Sequence, residues 1–314
     1  PAHLTELLRS TEAASRQRRE RPWRPRLRLS LHHRGRRNPQ RGGRRNIAAH
    51  YALGNEFYRH WLDETMTYSA AIFDHPGQSL AEAQRNKYDQ LLDTLGAQPG
   101  EHILEIGCGW GGFAMAAARR GIKVTGLTLS TEQLAWARRQ IAEASLAEWV
   151  DLRLEDYRDT RGRFDHAVSI EMLEAVGEDY WPAYFRMLHD RVRPGGRIGL
   201  HGITIAEDRF EDYRRRPDFI QRYIFPGGML PTPQRLAEES NRGGLAVVES
   251  TGLGQHYATT LLQWDARFVQ ALPQIRQLGF DDHFINMWRY YLAYCYAGFR
   301  TGSIDVKRLL LRRP

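Results

Sequence analysis

The sequence is poor in cysteine and contains no long hydrophobic run. Its 314 residues include only two cysteines, Cys108 and Cys295, which form no disulfide framework and no zinc-ligand spacing, as is typical of a protein in a reducing cytoplasm. We expect both to be packed small residues rather than nucleophiles. No apolar run approaches the ~20 residues of a membrane span, and no signal-peptide pattern stands at the start. Because the chain opens at Pro1 instead of methionine, we expect that a preceding segment is missing.

Positive charge is plentiful but confined to one segment. The net charge is +8, yet residues 16–45 contain thirteen arginines and one acidic residue, which gives +12 and leaves −4 for the rest. We therefore separate residues 1–45, a basic N-terminal arm or the end of a lipid-binding region, from a second domain at 46–314. The arm is either a solvated tail or a surface for nucleic-acid phosphates or anionic lipid headgroups. Its mixture of arginine, leucine and Trp23 slightly favours a membrane interface.

The stretch EHILEIGCGWGG, residues 101–112, is the strongest local signal. An apolar run enters a cluster of glycines and continues into FAMAAARR, which predicts a buried strand, a glycine turn and a helix. Such a turn lets the backbone approach a nucleotide cofactor closely, and the helix start offers free N–H donors. Glu105, just before the glycines, suits a cofactor with a cationic amino group better than a pyrophosphate. The pattern therefore indicates S-adenosylmethionine, although an ordinary strand–turn–helix remains an alternative.

Strand and helix patterns alternate after this loop, which predicts an α/β fold with a doubly wound parallel sheet. One helix is expected to precede the sheet at about 80–95, and a lid insertion interrupts the alternation at about 206–242. One or two long helices, dense in aromatic residues, are expected at 258–300. The predicted strands are HILEIG, KVTGLTL, VDLRLED, FDHAVSI, RIGLHGI, LAVVEST and DVKRLLL, and the helices between them are FAMAAARR, TEQLAWARRQIAEA and DYWPAYFRMLHDRV.

Several longer blocks occur in an order that resembles the cyclopropane-fatty-acyl-phospholipid synthase family, to which the mycolic acid cyclopropane synthases are related. The blocks are HYALGNEFYRHWLDETMTYS, LEIGCGWGGFA, GLTLSTEQ, EDYRD, SIEMLEAVG, LHGITI and HYATTLLQW. The resemblance covers about residues 46–313. It implies a class I S-adenosylmethionine-dependent methyltransferase, Rossmann-like, with a seven-stranded mostly parallel sheet, a helical N-terminal segment and insertions that roof an acyl pocket.

The resemblance also implies a set of cofactor-binding residues. They follow the N-terminal aromatic block, the glycine loop and the ends of the second, third and fourth strands. Some have ordinary structural alternatives, because Thr128 and Gln133 could cap the helix that begins near Ser130 and Asp156 could be a turn residue. The implied set is Tyr68, Ser69, Gly107, Gly109, Thr128, Gln133, Asp156, Tyr157 and Ile170.

Catalysis implied by the resemblance requires a base. A cis alkene is a weak nucleophile, so it must meet the sulfonium methyl in a dry cavity, where water cannot trap the resulting carbocation. A proton must then leave. In the family this base is thought to be a bound bicarbonate, cradled here by Glu174, His201, Tyr257 and the Ile203 N–H. Glu174 either bonds a protonated oxygen or orients His201. Aromatic faces of Tyr257 and the Tyr290–Tyr296 group could stabilise the cation. No metal is implied.

Three departures from the family pattern indicate a divergent subgroup. The family's cysteine in the TYSC-type block is Ala70 here, so any thiol role is lost, although main-chain contacts to the anion could persist. The common HYDLGN block has Ala52 in place of its acid, and Ala175 follows Glu174 where the family has histidine. None of the three removes the Glu/His/Tyr cradle.

We therefore expect methylene transfer to the cis double bond of a phospholipid acyl chain, giving a cyclopropane. A methylene- or methyl-branched chain is the nearest alternative, since both reactions begin with the same methyl transfer. A nucleic-acid methyltransferase would explain the arm, but no N/D-P-P-Y/F motif follows the fourth strand, so nucleic acid is disfavoured as a partner. A non-enzymatic lipid- or cofactor-binding protein is disfavoured because the glycine loop and cradle residues are present. We expect a cytoplasmic location with peripheral attachment to anionic membrane through the arm, and leave a homodimer open.

Overall fold

A computed structural model describes residues 53–314, and the basic arm and Ala52 lie outside the described residues. The described part contains a seven-stranded sheet in the order β3-β2-β1-β4-β5-β7-β6. The first five strands are parallel, and β7 runs antiparallel to both of its neighbours. The mostly parallel sheet predicted from the alternation is confirmed. Its strands are β1 His102–Ile106, β2 Lys123–Thr128, β3 Val150–Leu154, β4 His166–Ile170, β5 Arg197–Ile205, β6 Ala246–Gly252 and β7 Ile304–Arg312.

Helices cover both faces of the sheet and one of its ends. All seven predicted strands and the four predicted helices through Arg191 occur within two residues or so of their expected bounds. The helices are α1 Asn55–Arg59, α2 Leu80–Leu95, α3 Gly112–Arg119, α4 Thr131–Glu143, α5 Trp181–Arg191, α6 Glu207–Arg215, α7 Pro233–Arg242, α8 Gly254–Gln270, α9 Leu272–Gln277 and α10 Asp282–Thr301.

Helix α2 illustrates how local sequence sets these bounds. Ser79 accepts a hydrogen bond from the backbone of Glu82, and the Glu82 carboxylate accepts one from the Ser79 backbone, which forms a capping box. Gly96 ends the helix in the left-handed conformation, with φ of 65°. The apolar side of α2 packs on the sheet, where Leu91 and Leu95 contact the backbone position of Gly199 in β5.

The aromatic region near the C-terminus differs from the prediction of one or two helices, because it forms three. Pro273 stands in the first turn of α9, where proline is tolerated but cannot continue α8. Gly279 then adopts a φ of +93°, and Asp281 caps the start of α10 by accepting a hydrogen bond from the Phe284 N–H. These residues break the apolar pattern into separate helices.

Helices α8 and α10 pack against the N-terminal aromatic segment. Trp61, which is fully buried, lies edge-on to Trp264 of α8 and Trp288 of α10, with ring centroids 5.7 Å and 5.8 Å apart. This aromatic cluster forms a second core beside the sheet and holds residues 57–72 over the ends of β1 and β4.

The insertion expected at 206–242 divides into two parts with different roles. Residues from 208 to 230 line the central cavity, including a π-helical turn at Ile220–Ile224. By contrast, α7 contacts α5, and its Leu236 is 1% exposed within the core on that side of the sheet. Only the first part therefore lines the cavity, and we use the name lid for residues 208–230 alone; α7 is an ordinary covering helix between β5 and β6. No helix within residues 53–314 is long and apolar enough to cross a bilayer.

Candidate active site

A cavity of about 740 Å³ opens at the carboxyl ends of β1, β2 and β4. This is where a doubly wound sheet ordinarily binds its ligand. Its walls include the glycine loop, the residue 208–230 lid and parts of α8 and α10. Twelve of the thirteen residues predicted for the site line this one cavity, namely Tyr68, Ser69, Gly107, Gly109, Thr128, Gln133, Asp156, Tyr157, Ile170, Glu174, Ile203 and Tyr257.

His201 is the predicted residue that does not line the cavity. It lies in the middle of β5, paired with Ile170 of β4 and Arg308 of β7, and it is fully buried. Neither ring nitrogen has a hydrogen-bond partner among the residues that the structure describes. Burial lowers the pKa of His201 to about 3, and Lys87 and Arg308 act in the same direction, so the ring is neutral. His201 therefore does not face the cavity that the other twelve predicted residues line.

The glycine loop has the backbone geometry that close cofactor approach requires. Gly107 and Gly109 have φ angles of +81° and +52°, a region that favours glycine. The N–H groups of Gly107 and Cys108 donate to the Leu127 carbonyl of β2 at 3.0 Å and 2.8 Å, which anchors the loop. Cys108 is 3% exposed, and burial raises the pKa of its thiol, as expected of a packed residue.

Glu105 places an acid beside this loop. It is 3% exposed, and one of its carboxylate oxygens has no hydrogen-bond partner within residues 53–314. Burial raises the pKa of Glu105 to about 8, while the charge of Lys87 lowers it. A cationic ligand would pair with this carboxylate and favour its ionised form. The donor set therefore fits S-adenosylmethionine, which carries an ammonium and a sulfonium.

Thr128, Gln133 and Asp156 also make the local structural contacts that the sequence suggested as alternatives to cofactor binding. The Thr128 hydroxyl donates to Gln133 Oε1 at 3.2 Å and accepts the Ser130 N–H at 3.1 Å, at the start of α4. Both Asp156 oxygens accept hydrogen bonds from Arg158, at 2.8 Å and 2.7 Å. These residues consequently hold their own loops in shape while also facing the cavity.

Lys87 is a buried cation that the sequence analysis missed. It lies on α2 and is fully buried, and its Nζ donates to Ser69 Oγ at 2.5 Å and to Gln84 Oε1 at 2.7 Å. Burial lowers the pKa of Lys87, although the carboxylates of Glu171, Asp63 and Glu105 oppose this shift. Its position on the apolar face of α2, between Ala83 and Leu91, was a signal that could have revealed it.

Glu171 is the second functional side chain that was missed. It follows β4 directly, lines the cavity, and accepts the Ala70 N–H through Oε1 at 2.7 Å. The Tyr257 hydroxyl donates to the same carboxylate. Burial raises the pKa of Glu171, whereas Lys87, the Ala70 N–H and the Tyr257 hydroxyl lower it. The signal in the sequence was an acid at the end of the fourth strand, inside the SIEMLEAVG block.

Glu174 and Ile203 are brought together as predicted, but they contact each other. The Ile203 N–H donates to Glu174 Oε1, and Oε2 has no partner among the described residues. Burial raises the pKa of Glu174 to about 8, against the lowering effect of the Ile203 N–H, and the charge of Glu171 raises it further. Glu174 is thus mainly a neutral acid near pH 7.

Aromatic side chains close the far end of the cavity. Tyr257, Tyr291 and Tyr294 line it, while Tyr290 and Tyr296 of the same predicted group do not. The hydroxyls of Tyr68 and Tyr291 lie 2.8 Å apart, which joins the N-terminal segment to α10. No group of histidine, cysteine and acidic residues within 53–314 could hold a metal ion.

Comparison with known proteins identifies relatives of this architecture. A family model for mycolic acid cyclopropane synthetase matches residues 39–309. The chain is 46% identical to tuberculostearic acid methyltransferase UfaA1 of Mycobacterium tuberculosis over 86% of its length, and 34% identical to the cyclopropane-fatty-acyl-phospholipid synthase of Escherichia coli K12 over 84%. It spans 65% and 66% of those two relatives, slightly less than two thirds of their length.

A solved structure has the same fold, and the match covers nearly all of the solved chain. The crystal structure of mycolic acid cyclopropane synthase CmaA1 complexed with SAH and CTAB matches with a TM-score of 0.81 and 32% identity, covering 87% of this chain and 98% of that one. The seven-stranded, mostly parallel sheet is accordingly the class I S-adenosylmethionine-dependent methyltransferase fold.

Proposed function

The chain belongs to the mycolic acid cyclopropane synthetase family, and from that premise we propose that it transfers a methyl carbon from S-adenosylmethionine to the cis double bond of an unsaturated phospholipid acyl chain. The observation that carries this proposal is a single cavity that joins the glycine loop and Glu105 to an apolar compartment under the lid. A cofactor and a long chain can meet there away from water.

The cofactor half of the cavity supplies acids, glycine backbone and polar side chains. When bound, S-adenosylmethionine would provide an electrophilic methyl group on a sulfonium. Glu105 would face its positive charge, Gly107 and Gly109 would allow close backbone approach, and Ser69 is oriented by Lys87. The CmaA1 structure with SAH supports this use of the cavity.

The acyl half excludes water and tolerates positive charge. It is lined by apolar and aromatic side chains from β5, the lid, α8 and α10. Such walls would align the alkene for attack and protect a carbocation on the acyl chain, and aromatic faces would stabilise that cation. These lining residues are Ile203, Ile205, Ile220, Phe225, Met229, Tyr257 and Tyr291.

We propose ring closure to a cyclopropane as the first outcome and a methylene-branched chain as the second. The second candidate is favoured by the 46% identical relative, a tuberculostearic acid methyltransferase that makes a branched chain. Both products add one CH2 to the substrate, and both require loss of one proton. They differ in whether a hydride shift between the former alkene carbons precedes the loss of the proton, and in which bond the C–H electron pair then forms.

The proposed substrate lies in a membrane, and the basic arm gives a means of reaching it. Residues 16–45 carry a charge of +12, and a segment of this charge should dock on anionic headgroups by electrostatics that salt weakens. We therefore propose peripheral association with an anionic membrane surface.

The test is mass spectrometry of phospholipid acyl chains after incubation with S-adenosylmethionine and monounsaturated anionic vesicles. We expect a gain of one CH2 in the acyl chain, and NMR of the product then separates a ring from a branch. No gain, with cofactor binding verified by calorimetry, would contradict the proposed acceptor. In that case Ala52, Ala70 and Ala175 would mark a changed substrate, and other alkenes and nucleic acid would be tested in turn.

A further inference from the structure

Glu171 adopts a backbone conformation that side-chain-bearing residues rarely use. Its φ is +50°, in the left-handed region, and its N–H donates to the His201 carbonyl at 2.9 Å. A residue other than glycine in this region is strained and tends to occur at functional sites. The strand end could be built with glycine at lower cost, so the side chain itself is the feature that needs a purpose.

The Glu171 carboxylate lies among the hydrogen-bond donors that the family resemblance assigns to bicarbonate. The Ala70 N–H occupies the main-chain position of the family's cysteine, and it donates to Glu171 at 2.7 Å. The Tyr257 hydroxyl also donates to Glu171. The third donor, the Ile203 N–H, is taken by Glu174. All three donors are therefore engaged by carboxylates of the chain itself.

A further anion does not fit this arrangement. Bicarbonate would have to displace the Glu174 carboxyl group from the Ile203 N–H, or displace the Glu171 carboxylate from the Ala70 and Tyr257 donors. In either position it would lie near the Glu171 carboxylate in a low-dielectric cavity, where like charges repel strongly. His201 cannot compensate, because it is neutral and does not line the cavity. The residues present thus disagree with the bicarbonate that the resemblance implies.

We propose that the carboxylate of Glu171 takes the place of bicarbonate and is the base that removes the proton from the methylated acyl chain. This inference rests on the proposed function. The base is an anionic oxygen in both cases. Here it belongs to the Glu171 side chain, whereas bicarbonate would have to bind from solution.

The proposed step balances without an added oxidant or reductant. The alkene π pair forms the new C–C bond to the methyl carbon, the S–CH3 bond breaks with its pair on sulfur, and the other alkene carbon becomes cationic. A Glu171 oxygen then accepts a proton from the transferred methyl group. The C–H pair closes the ring, or forms a methylene double bond after a hydride shift between the former alkene carbons. The carboxylic acid loses its proton to water before the next turnover.

The surroundings of Glu171 suit this role. Burial raises the pKa of the Glu171 carboxyl, which makes its carboxylate a stronger base, while the Lys87 ammonium and the hydrogen bonds from Ala70 and Tyr257 oppose that rise and favour the ionised form. A carboxylate that lines the cavity also stabilises a carbocation that forms beside it, because the low dielectric strengthens their attraction. The same group can thus stabilise the intermediate and then collapse it by removing the proton.

Measurements of bicarbonate binding test, independently of any activity, whether Glu171 already occupies the donors that would hold this anion. NMR with 13C-labelled bicarbonate, supported by calorimetry, would be performed on the wild-type chain and on Glu171→Gly. Glycine is well suited to a φ of +50°, so this variant should fold. We expect binding by the variant and none by wild type. Binding by wild type with an affinity equal to or greater than that of the variant would overturn the proposal.

Measurements of the turnover rate test whether Glu171 acts as the base. In CO2-depleted buffer, we expect wild type to keep its full rate and Glu171→Gln to lose about 100-fold or more, the usual contribution of a general base, with cofactor affinity unchanged. Glu64→Gln, an exposed glutamate whose partner is Arg85, is the matched control and should behave as wild type. Glu171→Gly should regain rate when bicarbonate is added.

Two kinetic outcomes would overturn the proposal: loss of wild-type activity on CO2 depletion, or a wild-type rate in Glu171→Gln. A wild-type chain that binds cofactor but never methylates the vesicles would instead refute the proposed function and, with it, the base role. The bicarbonate-binding result would then still decide whether Glu171 fills the cradle.

Discussion

The Ala70 N–H and Glu171 Oε1 lie 2.7 Å apart, although 101 residues separate them in the chain. This hydrogen bond joins the N-terminal aromatic segment to the end of β4. It needs only the main chain of residue 70, which explains physically why alanine can stand where the family has cysteine. The sequence predicts main-chain contacts from this position to a bound anion, whereas in the structure the Ala70 N–H donates to a glutamate of the same chain.

The glycine loop offers a matched pair of substitutions. A Cβ at Gly107 would lie 2.9 Å from Cγ of Met172, whereas a Cβ at Gly109 would meet no described atom within 4 Å. Both have positive φ. We expect Gly107→Ala to lower the free energy of unfolding by about 2–4 kcal/mol and Gly109→Ala by about 1–2 kcal/mol. Chemical denaturation checks this, and equal losses would argue against the Met172 contact.

Lys87→Met should change the pH dependence of turnover. The Lys87 ammonium lowers the pKa of the Glu171 carboxyl, so its removal raises that pKa and leaves the base protonated up to higher pH. We expect the acidic limb of the kcat/KM profile to move to higher pH. Lys123→Met, at an exposed position at the start of β2, is the control and should leave the limb in place. An unmoved limb in Lys87→Met would contradict this electrostatic link.

Glu174 should make stability depend on pH. Burial raises the pKa of its carboxyl from 4.5 to about 8, so between these values the folded state holds a proton that the unfolded state has lost. The free energy of unfolding therefore falls as pH rises through this window. Glutamine resembles the protonated acid and does not titrate. We expect Glu174→Gln to gain about 1–4 kcal/mol relative to wild type between pH 5 and 8.

Urea denaturation at several pH values measures this difference directly. Glu105 also has a pKa raised to about 8, but it is present in both proteins and its contribution cancels. A constant difference between variant and wild type from pH 5 to 8 would mean that Glu174 titrates normally.

The basic arm can be tested through its charge. Replacing Arg34, Arg36, Arg37, Arg44 and Arg45 by glutamine should lower activity on anionic vesicles about 10-fold or more, because each basic residue near such a surface contributes about 1 kcal/mol. Cofactor affinity, measured by calorimetry, should not change. The same five positions changed to lysine retain the charge and should retain the activity. Equal loss of activity and cofactor affinity would exclude a membrane role.

The organisation of the fold could be predicted from local patterns. The alternation of apolar strands with helices placed all seven strands, and α2 was predicted at about 80–95, where the structure has Leu80–Leu95 between the caps Ser79 and Gly96. These are short-range properties, since capping, hydrophobic periodicity and turn chemistry act within a few residues. The three C-terminal helices were merged because an apolar pattern continues across Pro273 and Gly279.

The candidate site residues came from the family resemblance, and the structure places twelve of the thirteen around one cavity. Several of them follow the ends of parallel strands, which meet at one edge of the sheet. Lys87 and Glu171 were not predicted, although the spacing on α2 and the position directly after β4 were local signals for them. Their hydrogen-bond partners lie far away in the chain, and the sequence alone does not show which residues these are.

The sequence by itself determined the sheet, the glycine loop and the family, because each rests on residues close together or on an ordered set of motifs. Only the tertiary structure decided which groups share the cavity. In the folded chain, Lys87 is buried beside Ser69, and Glu171 accepts hydrogen bonds from Ala70 and Tyr257. His201 does not line the cavity. The physical reason is that hydrogen bonding and charge pairing in a low-dielectric interior depend on distance in space, which the order of residues alone does not contain.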